Sequence, residues 1–430
     1  MKVEMLYGDR SLSLELAEEK VAALLEAKPL PAGKGEDELI AEALANPVGS
    51  PRLADLVSKG ETACIVIGDM TRLWVKHDRF LPALLNELNR GGIADQDILL
   101  VSATGDHREQ TDEEYRLLAG DEAYERVKIY DHISTADDLV YLGETSYGTP
   151  VKINRRVVEA DRVIITGGIV YHFLAGWGGG KKAIIPGVAA RNTIMANHAL
   201  AFMPDEGEGL NPEVCSGRML ANPCSDDMLE GTQMVAPDFL LNTVIDENSG
   251  LIAGVFAGHF MEAHEEGCRF VDSYFRAPLE AKADVVIASC GGYPKDINFY
   301  QTYKTIYNAH QALRPGGTLL LVSESREGIG SDQFFEIFTD YDDNKSRELA
   351  LRSAYSIGGQ MAYHSALIAE ENDLLVLSDL PADLVKTMGM IPVDSLAAGL
   401  DFINKKHGEK VRYCLMPHGG STLPDLVRSS

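Results

Sequence analysis

Asp69, Thr71 and Arg72 follow the apolar run "ACIVIG", His107 and Arg108 follow "ILLVSATGD", and His172 follows "VIITGGIVY". An imidazole titrates near neutrality and can take or return a proton, whereas a guanidinium stays charged and grips a carboxylate through two parallel bonds. Two such histidines with an arginine suit proton transfer on an anionic substrate. Each alone reads equally well as a loop residue bonded to backbone; their joint placement at the ends of apolar runs sets them apart.

The segment "HFLAGWGGGKKAIIPGVAARNTIMANHAL" holds Gly178, Gly179 and Gly180 directly before Lys181 and Lys182. Backbone N–H groups exposed by such glycines, beside a lysine, favour phosphate. The spacing is not that of a Walker loop, and a flexible turn fits as well. Further on, Asn192 or Thr193 can cap a helix that carries His198, a plausible ligand for a borderline metal. No H-E-x-x-H, His-x-His or cysteine cluster accompanies it, so a metal here would take most of its ligands from something other than side chains. Gln301 and Lys304, three apart in "NFYQTYKTIYNAH" after the loop "GGYPKD", share one helical face that could hold a carboxylate or hydroxyl, or simply meet solvent.

These residues need a frame. "KVEMLYGDRSLSLELA" reads as a hairpin about Gly8 and Asp9, and "EDELIAEALANP" as a helix stopped by Pro47. Apolar runs then alternate with helical stretches, the pattern of a parallel sheet with crossover helices. "DFLLNTVIDENSGLIAGVFAG" predicts two strands joined by a turn from Glu247 to Gly250, and the α/β pattern restarts at "KADVVIASCGG", with a turn at "RPGG". The expectation is two α/β domains, residues 1–277 and 278–430, with mainly parallel sheets and an interdomain active-site cleft. The first domain carries the lysines and histidines, the second Gln301 and Lys304. Ligands of open α/β sheets sit beyond the carboxyl ends of the strands, which is where the candidate residues fall.

Composition narrows the function. With 430 residues, 45% hydrophobic and 24% charged, the chain can bury a large core. A formal charge of -26 argues against nucleic acid or an anionic membrane as partner and makes any anionic ligand depend on a local basic cluster. Six cysteines without a C-x-x-C pair suit reduced thiols, and "MKVEMLYGDRSLSLEL" lacks an apolar signal segment, so the expected location is cytoplasmic.

With these residues laid out, the sequence resembles the nickel-dependent lactate racemase family and its 2-hydroxy-acid racemase relatives. The blocks that carry the likeness are "DMTR", "SATGDHR", the long "GGIVYHFLAGWGGGKKAIIPGVAARNTIMANHA", "ANPCSDDMLE", "VFAGHFMEAHEEGC", "GGYPKDINFYQTYK" and "LRPGGTLLLVSE". The resemblance implies a nickel-pincer nucleotide, nicotinate-derived, joined to Lys182 with nickel also bound by His198. It implies a catalytic pair at His107 and His172, substrate contacts at Arg72, Gln301 and Lys304, and nucleotide contacts among Asp69, Thr71, Gly178, Gly179 and Gly180. The partners implied are a small 2-hydroxy carboxylate and, transiently, proteins that make the cofactor. Trp177 followed by Gly178 departs from lactate-specific members, which place a small hydroxylated residue after the aromatic one. "YSIGGQMAYHS" is closer to the broader homologues. A sensor that holds a nucleotide or phosphate without catalysis is the alternative; a zinc hydrolase is disfavoured by the shortage of metal ligands.

Overall fold

The computed structural model describes residues 1–30, 33–246 and 249–427. By its internal contacts the chain forms two compact units, one of residues 30–201 and 211–273, the other of residues 1–29, 202–210 and 274–430. Both are α/β.

The first unit is built on a six-stranded sheet in the order Ile252–Gly258, Phe239–Ile245, Arg162–Gly168, Ala63–Gly68, Ile98–Ala103, Lys128–Asp131. All neighbours are parallel except the first pair, which forms the expected antiparallel hairpin. Its turn falls partly at Glu247 and Asn248, outside the described residues, while Gly250 N–H closes onto the Asp246 carbonyl at 2.7 Å. Strands such as "ACIVIG" are apolar at every position because both faces are covered. Alternation splits them: Ile65, Ile67, Leu100, Ile164 and Leu241 enter one core with the helix His77–Gly91, and Cys64, Val66, Val101, Ile165 and Leu240 enter the other.

The second unit carries the parallel order Ile391–Val393, Asp373–Leu377, Leu313–Val322, Ala283–Ser289, Tyr413–Met416, Val21–Leu24. Here the division differs from the expected one. Val21–Leu24 pairs with Tyr413–Met416, and Met5 and Tyr7 of the opening hairpin lie in one core with Val285, Ile287 and Leu320. The amino-terminal residues therefore belong with the second unit, because burying the hairpin's apolar face required a sheet that the chain supplies only after residue 282. "RPGG", expected as a turn ahead of the strand, bulges out of the strand Leu313–Val322 itself, whose pairing jumps from Leu313 to Thr318. Among the described residues no helix is long and apolar enough to cross a membrane.

Candidate active site

Two neighbouring strand ends of the first unit deliver the first group of side chains. Asp69 follows Ala63–Gly68 and is buried, while His107, on the loop after Ile98–Ala103, is half exposed. His107 Nδ1 lies 2.5 Å from Asp69 Oδ2, and the Thr71 hydroxyl donates to Asp69 Oδ1 at 2.6 Å. Burial pushes the Asp69 carboxyl up, but the bonds from His107 and Thr71 outweigh it and hold the group below the ordinary aspartate value. An ionised Asp69 fixes the His107 tautomer with its proton on Nδ1, which leaves Nε2 with a lone pair. Asp69 and Thr71, expected at the nucleotide, thus spend their oxygens on protein: Thr71 Oγ1 also accepts from exposed Arg72 at 2.9 Å. His77, which sequence reasoning did not single out, accepts the Gly68 N–H at Nε2, 3.0 Å away, and so pins the backbone just before Asp69.

The glycine loop differs from expectation in one respect. Gly178 N–H donates to the Val170 carbonyl at 2.7 Å and Gly180 N–H to Asn242 Oδ1 at 2.9 Å, so these two donors are not held out to a phosphate. The glycines are required for closeness instead. Gly180 has φ +53°, and a Cβ there would stand 2.7 Å from the His264 ring; at Gly179, with φ +71°, it would stand 2.6 Å from Asn242 Oδ1. His264 in turn bonds the Gly178 carbonyl through Nε2 at 2.9 Å. Asn242 and His264 escaped notice because nothing local marks them; their role exists only where distant segments meet.

Beyond the glycines the two lysines part. Lys181 is buried and donates to Ser225 Oγ at 2.7 Å. Lys182 Nζ lies 2.8 Å from His172 Nε2, and His172 Nδ1 accepts the N–H groups of Leu174 and Ala175, each at 3.2 Å. A neutral imidazole that accepts at Nδ1 carries its hydrogen on Nε2, and in that tautomer Nε2–H donates to the neutral form of the Lys182 amine. Burial, then the charges of Arg72 and Lys181, lower the Lys182 amine to about 7, in agreement with that assignment. His198 is buried on the helix Arg191–Ala199; burial and the nearby Lys182 lower it to about 3 and keep it neutral. Lys182 therefore interacts with each of Arg72, His172 and His198, and His107 joins Arg72 through Asp69 and Thr71. Among the described residues no group of three His, Cys, Asp or Glu could hold a metal ion.

Gln301 and Lys304 belong to the second unit, on the helix Phe299–Gln311 capped by Asn298. They share a face as their spacing requires, Lys304 Nζ standing 3.5 Å from Gln301 Oε1.

Two covered, mainly parallel sheets define an α/β protein, and the first unit carries histidines and a carboxylate at strand ends beside a lysine lowered by burial. The model of the lactate racemase N-terminal domain matches residues 7–210 and that of the C-terminal domain residues 279–423. Lactate racemase of Thermoanaerobacterium thermosaccharolyticum is 30% identical over 430 residues, 98% of either chain, and that of Lactiplantibacillus plantarum 31% over 426 residues, covering 97% of this chain and 98% of the relative. The apoprotein structure from T. thermosaccharolyticum superposes with a TM-score of 0.90 over 99% of this chain and 100% of that one, at 30% identity. A Thermotoga maritima protein shares the fold at a TM-score of 0.65 and 19% identity, over 92% of this chain and 100% of its own. The chain belongs to the lactate racemase family and is an isomerase, a racemase.

Proposed function

We propose that this protein interconverts the two configurations of a small, lactate-like 2-hydroxy acid with a nickel-pincer nucleotide tethered to Lys182 and nickel bound by His198. The observation that carries the reading is the Lys182–His172 contact. Burial lowers the amine at that contact to about 7, so the neutral form that can be acylated is available near neutrality, within electrostatic range of a histidine that burial keeps neutral and therefore able to bind a metal. A group that brings its own ligands also fits a place where the described side chains offer no cluster of three. When bound, that group supplies the acceptor and donor for the hydride on the substrate's α-carbon.

The chain's own residues handle protons and charge. His107 is set to accept the substrate's hydroxyl proton at Nε2, and Asp69 stabilises the imidazolium that results. His172 serves the opposite face. To accept at Nε2 it must first release Leu174 and Ala175 and place its hydrogen on Nδ1, so the two histidines start from unlike states. Arg72 is the group for the carboxylate, and the amide and ammonium of Gln301 and Lys304 are, by the resemblance, further substrate contacts. Cofactor-making proteins are then needed as transient partners, and protein from a host without them is expected folded and inactive.

Intact-mass measurement of protein produced in cells that make the cofactor tests the reading. An adduct of several hundred daltons on Lys182, accompanied by nickel, is expected; unmodified protein from such cells would sink it.

A further inference from the structure

The block "ANPCSDDMLE" has no part in the chemistry above, yet its polar groups reach the neighbours of three site residues. It forms the cap and first two turns of the helix Pro223–Val235. Asn222 Nδ2 donates to the Leu174 carbonyl at 2.9 Å, and Leu174 N–H is one of the two that fix His172 Nδ1. Ser225 Oγ accepts from Nζ of Lys181, the residue before Lys182, at 2.7 Å, and Thr232, two turns further along the helix, donates to the Lys181 carbonyl at 3.3 Å. Asp227 Oδ2 accepts from Nδ2 of Asn197, the residue before His198, at 2.8 Å; the same amide nitrogen lies 2.9 Å from the Cys224 carbonyl. Asn222, Ser225, Asp227 and Asn197 are all completely buried.

Resting on the roles given to His172, Lys182 and His198 above, we propose that Asn222, Ser225 and Asp227 are positioning residues, each holding one of those three through its chain neighbour. One helix start then sets the mutual placement of proton carrier, tether and nickel ligand. Packing alone does not call for this arrangement. A buried carboxylate and a buried ammonium are costly to desolvate, and apolar residues of like volume would join the helix to the loop at less cost. The polar anchors give direction instead: a hydrogen bond fixes angle as well as distance, and groups that orient a metal ligand commonly change metal affinity by ~10–100-fold when lost.

Because each anchor grips a different segment, each should fail differently. Ser225→Ala, Asn197→Ala and Asn222→Asp are produced in cells that make the cofactor; the last keeps an oxygen for the cap but removes the donor to Leu174. The readouts are the fraction of Lys182 carrying the adduct, the rate of nickel loss to a chelator followed by absorbance, and kcat and KM. Ser225→Ala should lower adduct occupancy several-fold, and Ser225→Thr should restore it. Asn197→Ala should keep the adduct and release nickel ~10–100-fold more readily. Asn222→Asp should keep both and lose about tenfold or more in kcat with little change in KM, as expected for a misplaced proton carrier. Thermal melts accompany each variant, and one that fails to fold is replaced by Ser225→Cys, Asn197→Ser or Asn222→Ser. Wild-type protein without the adduct would remove the cofactor reading and this proposal with it. A loaded wild type whose variants are unchanged, or lose all three properties together in step with melting temperature, would overturn the positioning roles alone.

Discussion

Asp69 and His107 form a pair in which the carboxylate holds the ring and, through Thr71, the arginine beside it. Asp69→Asn keeps the shape but offers an amide that can turn its N–H toward the ring, which favours the wrong tautomer; kcat should fall by ~10²-fold or more with cofactor loading intact. His107→Ala and His172→Ala should each abolish interconversion at a cost of ~10²–10⁴ in rate and leave nickel in place. Nickel lost from either would show that the roles are wrongly divided. Lys182 gives a pH test on protein lacking the adduct. Its amine sits at about 7 in the fold against ~10.4 in an unfolded chain, so between these values the unfolded state binds the extra proton. Stability should accordingly rise as pH is raised from about 7 to about 10, and Lys182→Met should flatten the rise in denaturant titrations at several pH values. The candidate residues themselves were legible because histidine, arginine and lysine at strand ends are few. What each one touches was not, since Asp69 meets His107 and Lys182 meets His172 only after folding.

Strands are the elements the sequence declares most openly, since a run such as "ACIVIG" or "DVVIAS" has both faces to bury. Leu241, fully buried at the meeting of strand and helix His77–Gly91, should cost ~2–5 kcal/mol when cut to alanine, read as a lower denaturation midpoint at unchanged slope. The glycine loop was legible as an irregular segment but not for its reason. Its glycines looked like phosphate donors, yet two of their N–H groups are taken, and the demand for glycine comes from Asn242 and His264, 62 and 84 residues from Gly180 along the chain. Gly180→Ala should therefore disturb the start of the turn that carries Lys182 by forcing the His264 ring away, lowering stability by ~1–3 kcal/mol and reducing adduct formation. If the variant loads and melts like the parent, the close approach is not what fixes the residue there.

At the scale of the whole molecule the two-unit plan was legible and its bookends were not. A hairpin at the start of a chain reads locally as part of whatever follows; the core that Met5 and Tyr7 share with Val285 and Ile287, and the pairing of Val21–Leu24 with Tyr413–Met416, assign this stretch to the other unit. Net charge, by contrast, needs no fold to be used. A chain of formal charge -26 repels a carboxylate at long range, while Arg72, the group proposed to bind it, acts only on contact. Salt shortens the reach of that repulsion from about 30 Å at 0.01 M to about 8 Å at 0.15 M and does much less to contacts that exclude water. Raising ionic strength over that range with an inert salt should increase kcat/KM for an anionic 2-hydroxy acid, chiefly through KM, by a few-fold. An uncharged ester or amide of the same acid should bind as a competitor with no such dependence. A kcat/KM that falls as salt rises would mean instead that a local basic field already outweighs the acidic whole at the approach to the site.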